Sequence, residues 1–225
     1  MTREQLLQQL AHLLVSLEFA HPLRVALDGI DAAGKTSLAN ELAPYIEEHG
    51  RPVIRASLDS FHRPRRERYQ RGSDSPKGYY EDSFDHRALQ EALLTPLGPQ
   101  GQRKYRRAVF DVQTDMPLLA IEEEAPVNAI LLFDGVFLLR PELYHYWDYR
   151  IFVSVDFEVA LQRASIRDQV LFGSPEDVRA RYLRRYVPGQ QLYLQQVQPQ
   201  MRADLIVDNN DPAEPRIYKK AWREF

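Results

Sequence analysis

Two rhythms of apolar residues alternate along the 225-residue chain and mark out its elements. Leu6, Leu10, Leu13 and Leu17, widened by Leu7 and Leu14, recur at helical spacing and predict an amphipathic helix over residues 3–18. Thr2, with Gln5 three residues later, matches a capping box. Leu23, Val25 and Leu27 predict a strand over 23–28, and Leu38, Leu42 and Ile46 the buried face of the helix that follows. Pro44 lies inside that helix and, lacking an N–H, is expected to kink it or loosen its last turns. A short strand is expected at 53–58. Helical spacing returns over 85–94, with Ala88, Leu89, Ala92 and Leu93 inward, until the turn residues of 96–101 end it. Residues 103–111 read as an irregular strand pair. Buried strands are expected at 127–133 and 149–155, helices over 158–193, a last strand at 204–208 and a polar tail at 209–225.

Strands alternating with helices predict an α/β fold: a mostly parallel sheet flanked by helices in three layers. The whole chain, 1–225, reads as a single domain with an N-terminal helix (1–20), an insertion (60–84) and an arginine-rich helical region (158–200). The N-terminal helix is expected to pack on this protein's own sheet. A net charge of −3 argues against a protein that coats nucleic acid, so no nucleic-acid partner is expected. With no cysteine, disulfides, thiolate metal sites and thiol nucleophiles are excluded. No apolar run approaches membrane-spanning length, and the glutamine-rich start lacks a secretory signal, so a soluble cytoplasmic protein without a membrane partner is the expectation.

Candidate chemistry centres on Gly29-Ile30-Asp31-Ala32-Ala33-Gly34-Lys35-Thr36, followed by Ser37, which fits G-x-x-x-x-G-K-[ST] between a strand and a helix. The glycines permit a tight turn whose N–H groups converge on phosphate oxygens, and the next helix adds its unpaired N–H groups and partial positive charge. Lys35 is expected to reach the β- and γ-phosphates, and the Thr36 hydroxyl to hold Mg²⁺. Asp134, closing an apolar strand, is the second expected metal residue. Asp59, at the end of the second strand, could accept the proton of an attacking hydroxyl, hold a metal-bound water, or simply cap a turn. The arginines of 63–71 could grip an anion or stay solvated. Arg163 and Arg167, four apart on one helix face, suit a lid that closes on a transferring phosphoryl group.

These motifs, with Asp59-Ser60-Phe61-His62-Arg63, Asp82-Ser83-Phe84-Asp85, Phe133-Asp134-Gly135, Arg167-Asp168 and Ala203-Asp204-Leu205-Ile206-Val207, stand in the order seen in the uridine kinase-like branch of phosphate-loop kinases. That branch neighbours phosphoribulokinase and pantothenate kinase, and the resemblance covers roughly residues 22–210. It implies a P-loop NTPase fold with a helical arginine lid, ATP and Mg²⁺ as cofactors, Asp59 as catalytic base, and Arg167 with Arg163 on the lid. Departures fall where the nucleoside is read: His62 replaces a tyrosine, Tyr79 a ribose-binding aspartate, and Asp115 a base-reading histidine. The implied substrate residues are therefore His62, Arg63, Tyr79, Phe110 and Asp111. The implied activity is γ-phosphoryl transfer to a hydroxyl of a small molecule, with a nucleoside such as uridine or cytidine favoured. A sugar or pantothenate-like acceptor, or an ATPase or switch without an acceptor, are the alternatives; a homo-oligomer stays open.

Overall fold

The computed structural model describes residues 1–119 and 121–219. Six strands form the main sheet: β1 (Leu23–Asp28), β2 (Val53–Ser57), β3 (Ile130–Gly135), β4 (Tyr149–Ser154), β5 (Leu205–Asp208) and β6 (Arg216–Lys219), in the order β6-β5-β4-β1-β3-β2. All pairs are parallel except β6 on β5. Every residue of β1 and β3 is buried, as expected of central strands covered on both faces. Their alternation divides the core. Val25, Leu27, Ile130 and Leu132 join α1 (Arg3–Val15) and α2 (Lys35–Glu48) on one face. Ala26, Leu131 and Phe133 join Phe137, Trp147 and Leu94 on the other. The register sets Leu27 beside Asp134 and Ser57 beside Asp134, so the carboxyl ends of β1, β2 and β3 meet at one point.

The capping box of α1 is present, but its buried stripe is Leu6, Leu7, Leu10, Ala11 and Leu14. Leu13 and Leu17 are only partly buried, because the helix ends at Val15 and Ala11 takes part in the contact surface. Helix α2 continues four residues beyond Pro44. The carbonyl that Pro44 leaves without a helical partner belongs to exposed Asn40, and buried Leu42 and Ile46 hold the last turns on the sheet.

Several expected elements differ. The third strand begins at Ile130 rather than 127, since exposed Val127 lies in the turn before it. The fourth ends at Ser154. Residues 86–94 are helical, capped by Asp85, with the final turn, Gln90–Leu94, widened to a π-helix. The strand pair expected within 103–111 is instead two separate pairings: Lys104–Tyr105 with Glu123–Glu124, and Phe110–Asp111 with Met116–Pro117. Two-residue strands give no alternation to read. The insertion is partly helical, over Arg65–Arg68 and α3 (Pro76–Asp82). The expected polar tail contains β6, whose Ile217 packs against the core; residues 220–225 of that tail lie outside the described residues. The arginine-rich region forms α4 (Phe157–Arg167), α5 (Pro175–Arg181) and α6 (Val187–Val197), with shorter helical turns between and after them. Among the described residues, no helix is long and apolar enough to cross a membrane.

Candidate active site

The expected phosphate loop links β1 to α2. Gly29 has φ +155°, and a Cβ there would lie 2.4 Å from the Val153 carbonyl oxygen. Gly34, with φ +88°, precedes the first turn of α2, which no side chain among the described residues caps. Its N–H groups are thus left to a ligand, and an anion suits them. From behind, buried Asn209 donates to the Ala33 carbonyl at 2.7 Å and accepts from Arg3 at 3.2 Å. Nothing in the local sequence marks this brace, which comes from the turn after β5.

Lys35 is nearly buried, and its Nζ donates to the Ile30 carbonyl at 2.7 Å. Burial pushes its pKa down, against the opposing pull of Asp31, Asp28, Asp134 and Asp59. Asp28, fully buried, accepts from the Tyr193 hydroxyl and from the Leu138 N–H at 3.2 Å; burial still raises its pKa to about 6. The Asp31 carboxylate is held by two side chains. It accepts from the Tyr79 hydroxyl and Gln190 Nε2, both at 2.7 Å, while its own N–H donates to Gln190 Oε1 at 3.2 Å. Burial raises its pKa as well.

Thr36 and Asp134 come together as expected: the hydroxyl donates to Asp134 Oδ2 at 2.6 Å. Ser57 donates to the same oxygen at 3.3 Å, and Arg55 to Oδ1 at 2.8 Å. A hydroxyl and a carboxylate are hard oxygen donors, the kind Mg²⁺ takes alongside phosphate oxygens and water. Among the described residues there is no cluster of three or more acidic, histidine or cysteine side chains that could hold a metal alone. This donor set fits a cation shared with a nucleotide. Arg55 and Ser57 were not anticipated, although their i, i+2 spacing on a strand directs both to one face.

Asp59 is exposed on the 3₁₀ turn Leu58–Phe61, which Ser57 caps through Asp59 N at 3.4 Å. Its charge acts on Lys35, Asp31 and His62. His62 Nδ1 lies 2.9 Å from the Asp59 carbonyl; a carbonyl only accepts, so this nitrogen carries the proton and Nε2 is left as an acceptor. Burial lowers the His62 pKa, favouring the neutral ring. Val109 N donates to the Ser60 carbonyl at 3.1 Å and docks the Phe110–Asp111 strand beside this turn.

Other expected substrate residues are committed internally. The Tyr79 ring is buried and its hydroxyl is held by Asp31; Arg63 donates to the Phe84 carbonyl at 3.1 Å; Phe110 is buried. Asp111 caps its own turn through Gln113 N at 2.9 Å and Thr114 Oγ1 at 2.8 Å. Asp115 accepts from Arg65 N at 2.9 Å and Arg68 at 2.8 Å. Of the insertion arginines, Arg68 and Arg71 are also paired internally, the latter with Asp82 at 2.8 Å. Buried Arg185 on the helical region donates to the carbonyls of Gly72, Ser73 and Ser75 and stacks on Tyr69, tying the insertion to that region.

Arg163 and Arg167 separate. Arg167, half exposed, is held by Asp168 through two bonds of 2.7 and 3.0 Å, and Tyr182 bonds both partners. The hydrogen bonds to Asp168 push its pKa up, and its charge reaches Asp31. Arg163 instead donates to the carbonyls of Asn209 and Asn210, each at 2.9 Å. It braces the turn after β5 that also holds Asn209.

No family model matches the chain. A uridine kinase of Lactobacillus helveticus is 28% identical over 193 residues, 83% of this chain and 86% of that protein. A solved structure described as a possible uridine kinase from Bacillus stearothermophilus superimposes with a TM-score of 0.71 at 21% identity, covering 90% of this chain and 97% of that one. D-glycerate 3-kinase from Cryptococcus neoformans var. grubii gives 0.66 at 14% identity, over 95% and 99% of the two chains. These structural likenesses establish the three-layer fold with its mostly parallel sheet.

Proposed function

For this chain, which groups with the uridine kinase-like branch of phosphate-loop kinases, we propose Mg·ATP-dependent transfer of a γ-phosphoryl group to a hydroxyl of a small molecule, with a nucleoside such as uridine or cytidine as the leading acceptor. The observation that carries the reading is the meeting of three groups at one sheet end: the uncapped start of α2, the Thr36–Asp134 pair and the exposed Asp59 carboxylate. Bound Mg²⁺ supplies charge neutralisation of the β/γ oxygens. The backbone of residues 29–37 holds the phosphates. Lys35, released from the Ile30 carbonyl, turns its ammonium to the same oxygens. Thr36 and Asp134 hold the metal's protein side.

Asp59 accepts the proton as the acceptor oxygen bonds to phosphorus and the bond to the ADP oxygen breaks. Arg167, aimed by Asp168 and Tyr182, meets the charge spread over the transferring group. His62 Nε2 is the acceptor that reads a donor on the substrate. ATP consumption with uridine, cytidine, other nucleosides, pantothenate and sugars, against a control without acceptor, tests the proposal. Stimulation by a nucleoside supports it, stimulation by another acceptor moves the substrate, and hydrolysis that no acceptor increases refutes transfer. Asp59→Asn should keep nucleotide binding and lose transfer by about 10²–10⁴-fold, the range for a positioned base.

A further inference from the structure

Away from the site, two exposed histidines meet where α1 packs on α2. His12 lies in the last turn of α1, and His49 caps the C-terminus of α2. His12 Nδ1 is 2.8 Å from the Gln8 carbonyl, and His49 Nδ1 is 2.7 Å from the Tyr45 carbonyl. Because carbonyl oxygens only accept, both Nδ1 atoms carry protons, which leaves Nε2 of each ring, when unprotonated, with a lone pair to offer. Those two Nε2 atoms face each other at 3.3 Å, the rings edge-on with centroids 4.6 Å apart. Two lone pairs at that distance repel unless a cation lies between them.

We propose that His12 and His49 form a binding site for a divalent transition metal, zinc by geometry. Bonds of about 2.05 Å from one ion to nitrogens 3.3 Å apart subtend about 107°, close to the tetrahedral angle zinc adopts. A square-planar copper site would need the nitrogens at about 2.9 Å in adjacent positions or about 4.1 Å in opposite ones. Each Nδ1–H donated to a backbone carbonyl is the outer-shell arrangement that fixes a ligating imidazole's tautomer and orientation. The ion would also sit at the C-terminal ends of two helices, where the partial negative charge of the backbone favours a cation. With two protein ligands, the remaining positions belong to water. A single proton shared between the two Nε2 atoms is the competing occupant.

The proposal is independent of the kinase reading, and its test needs no turnover. Calorimetric titration of the full chain with zinc chloride, without nucleotide, should give one ion per chain. His12→Gln and His49→Gln should each weaken binding by more than about tenfold, the lower end of what losing a mere outer-shell partner does. Both positions are exposed, so circular dichroism in EDTA should match the parent and show that the variants fold. Asp134→Asn should leave the zinc affinity unchanged, separating this site from the phosphate loop. Absence of zinc binding would assign the pair to the shared proton, and unchanged binding in either histidine variant would place the ion elsewhere; either result overturns the proposal.

Discussion

Arg55 on β2 donates to Asp134 on β3 at 2.8 Å, and the same carboxylate receives the Thr36 hydroxyl at 2.6 Å. A guanidinium thus stands beside the oxygens proposed for the metal, and a metal ion must share Asp134 with it. Replacing Arg55 with glutamine should therefore lower the Mg²⁺ concentration for half-maximal nucleotide binding by about fivefold, the equivalent of about 1 kcal/mol for a partly exposed ion pair. Fluorescent-nucleotide titrations at stepped Mg²⁺ would measure this. An unchanged midpoint would mean that Arg55 does not compete for the carboxylate.

Arg167 should be sensitive to shape as well as charge. Its fork is matched by Asp168 in two bonds, which a lysine cannot reproduce. Arg167→Ala is expected to lower kcat by about 10²–10³-fold with little change in nucleotide affinity, and Arg167→Lys to recover only part of it. Arg163→Ala should act differently, loosening the Asn209 turn and lowering the melting temperature before it touches kcat. Equal kcat losses in both would contradict the separation of their guanidinium groups.

Tyr79 is a brace in this structure. Phenylalanine there would deprive the partly buried Asp31 of one of its two side-chain donors. A stability loss of about 1–3 kcal/mol is expected, read by denaturant melts, with a smaller effect on acceptor KM. The opposite ranking would return Tyr79 to the substrate.

Two buried groups oppose each other in acid. The native pKa of Asp28 is raised from 3.8 to about 6, so its ionisation penalty is fully present above about pH 6 and relieved as pH falls toward 3.8. His86 is lowered by burial from 6.5 to about 4, so stability is lost as pH falls through that window, where only the unfolded chain takes up the proton. Each shift corresponds to up to roughly 3 kcal/mol, less for His86, which keeps some contact with water. Asp28→Asn should steepen the fall in melting temperature between pH 6.5 and 4, and His86→Gln should flatten it. Parallel curves would show that neither group titrates in that range.

The sequence by itself determined the elements whose signal is periodic or local. The buried strands, the α1 capping box, the glycine-containing loop after β1 and the carboxylate near the end of β3 are set by residues within a few positions of one another. Thr36 and Asp134, far apart in the chain, meet because parallel strands bring their carboxyl ends together. Tertiary structure decided what depends on distant partners. Arg163 and Arg167 share a helix face in sequence, yet one finds the Asn209 turn and the other Asp168 and Tyr182. Arg63, Arg68 and Arg71 of the insertion looked free for an anion until a carbonyl and two carboxylates elsewhere in the chain paired them. β6 is a strand because β5 offers it an edge, and four residues carry too little pattern to announce that. A buried polar group must find a partner wherever the fold supplies one, and sequence spacing does not record which partner that is.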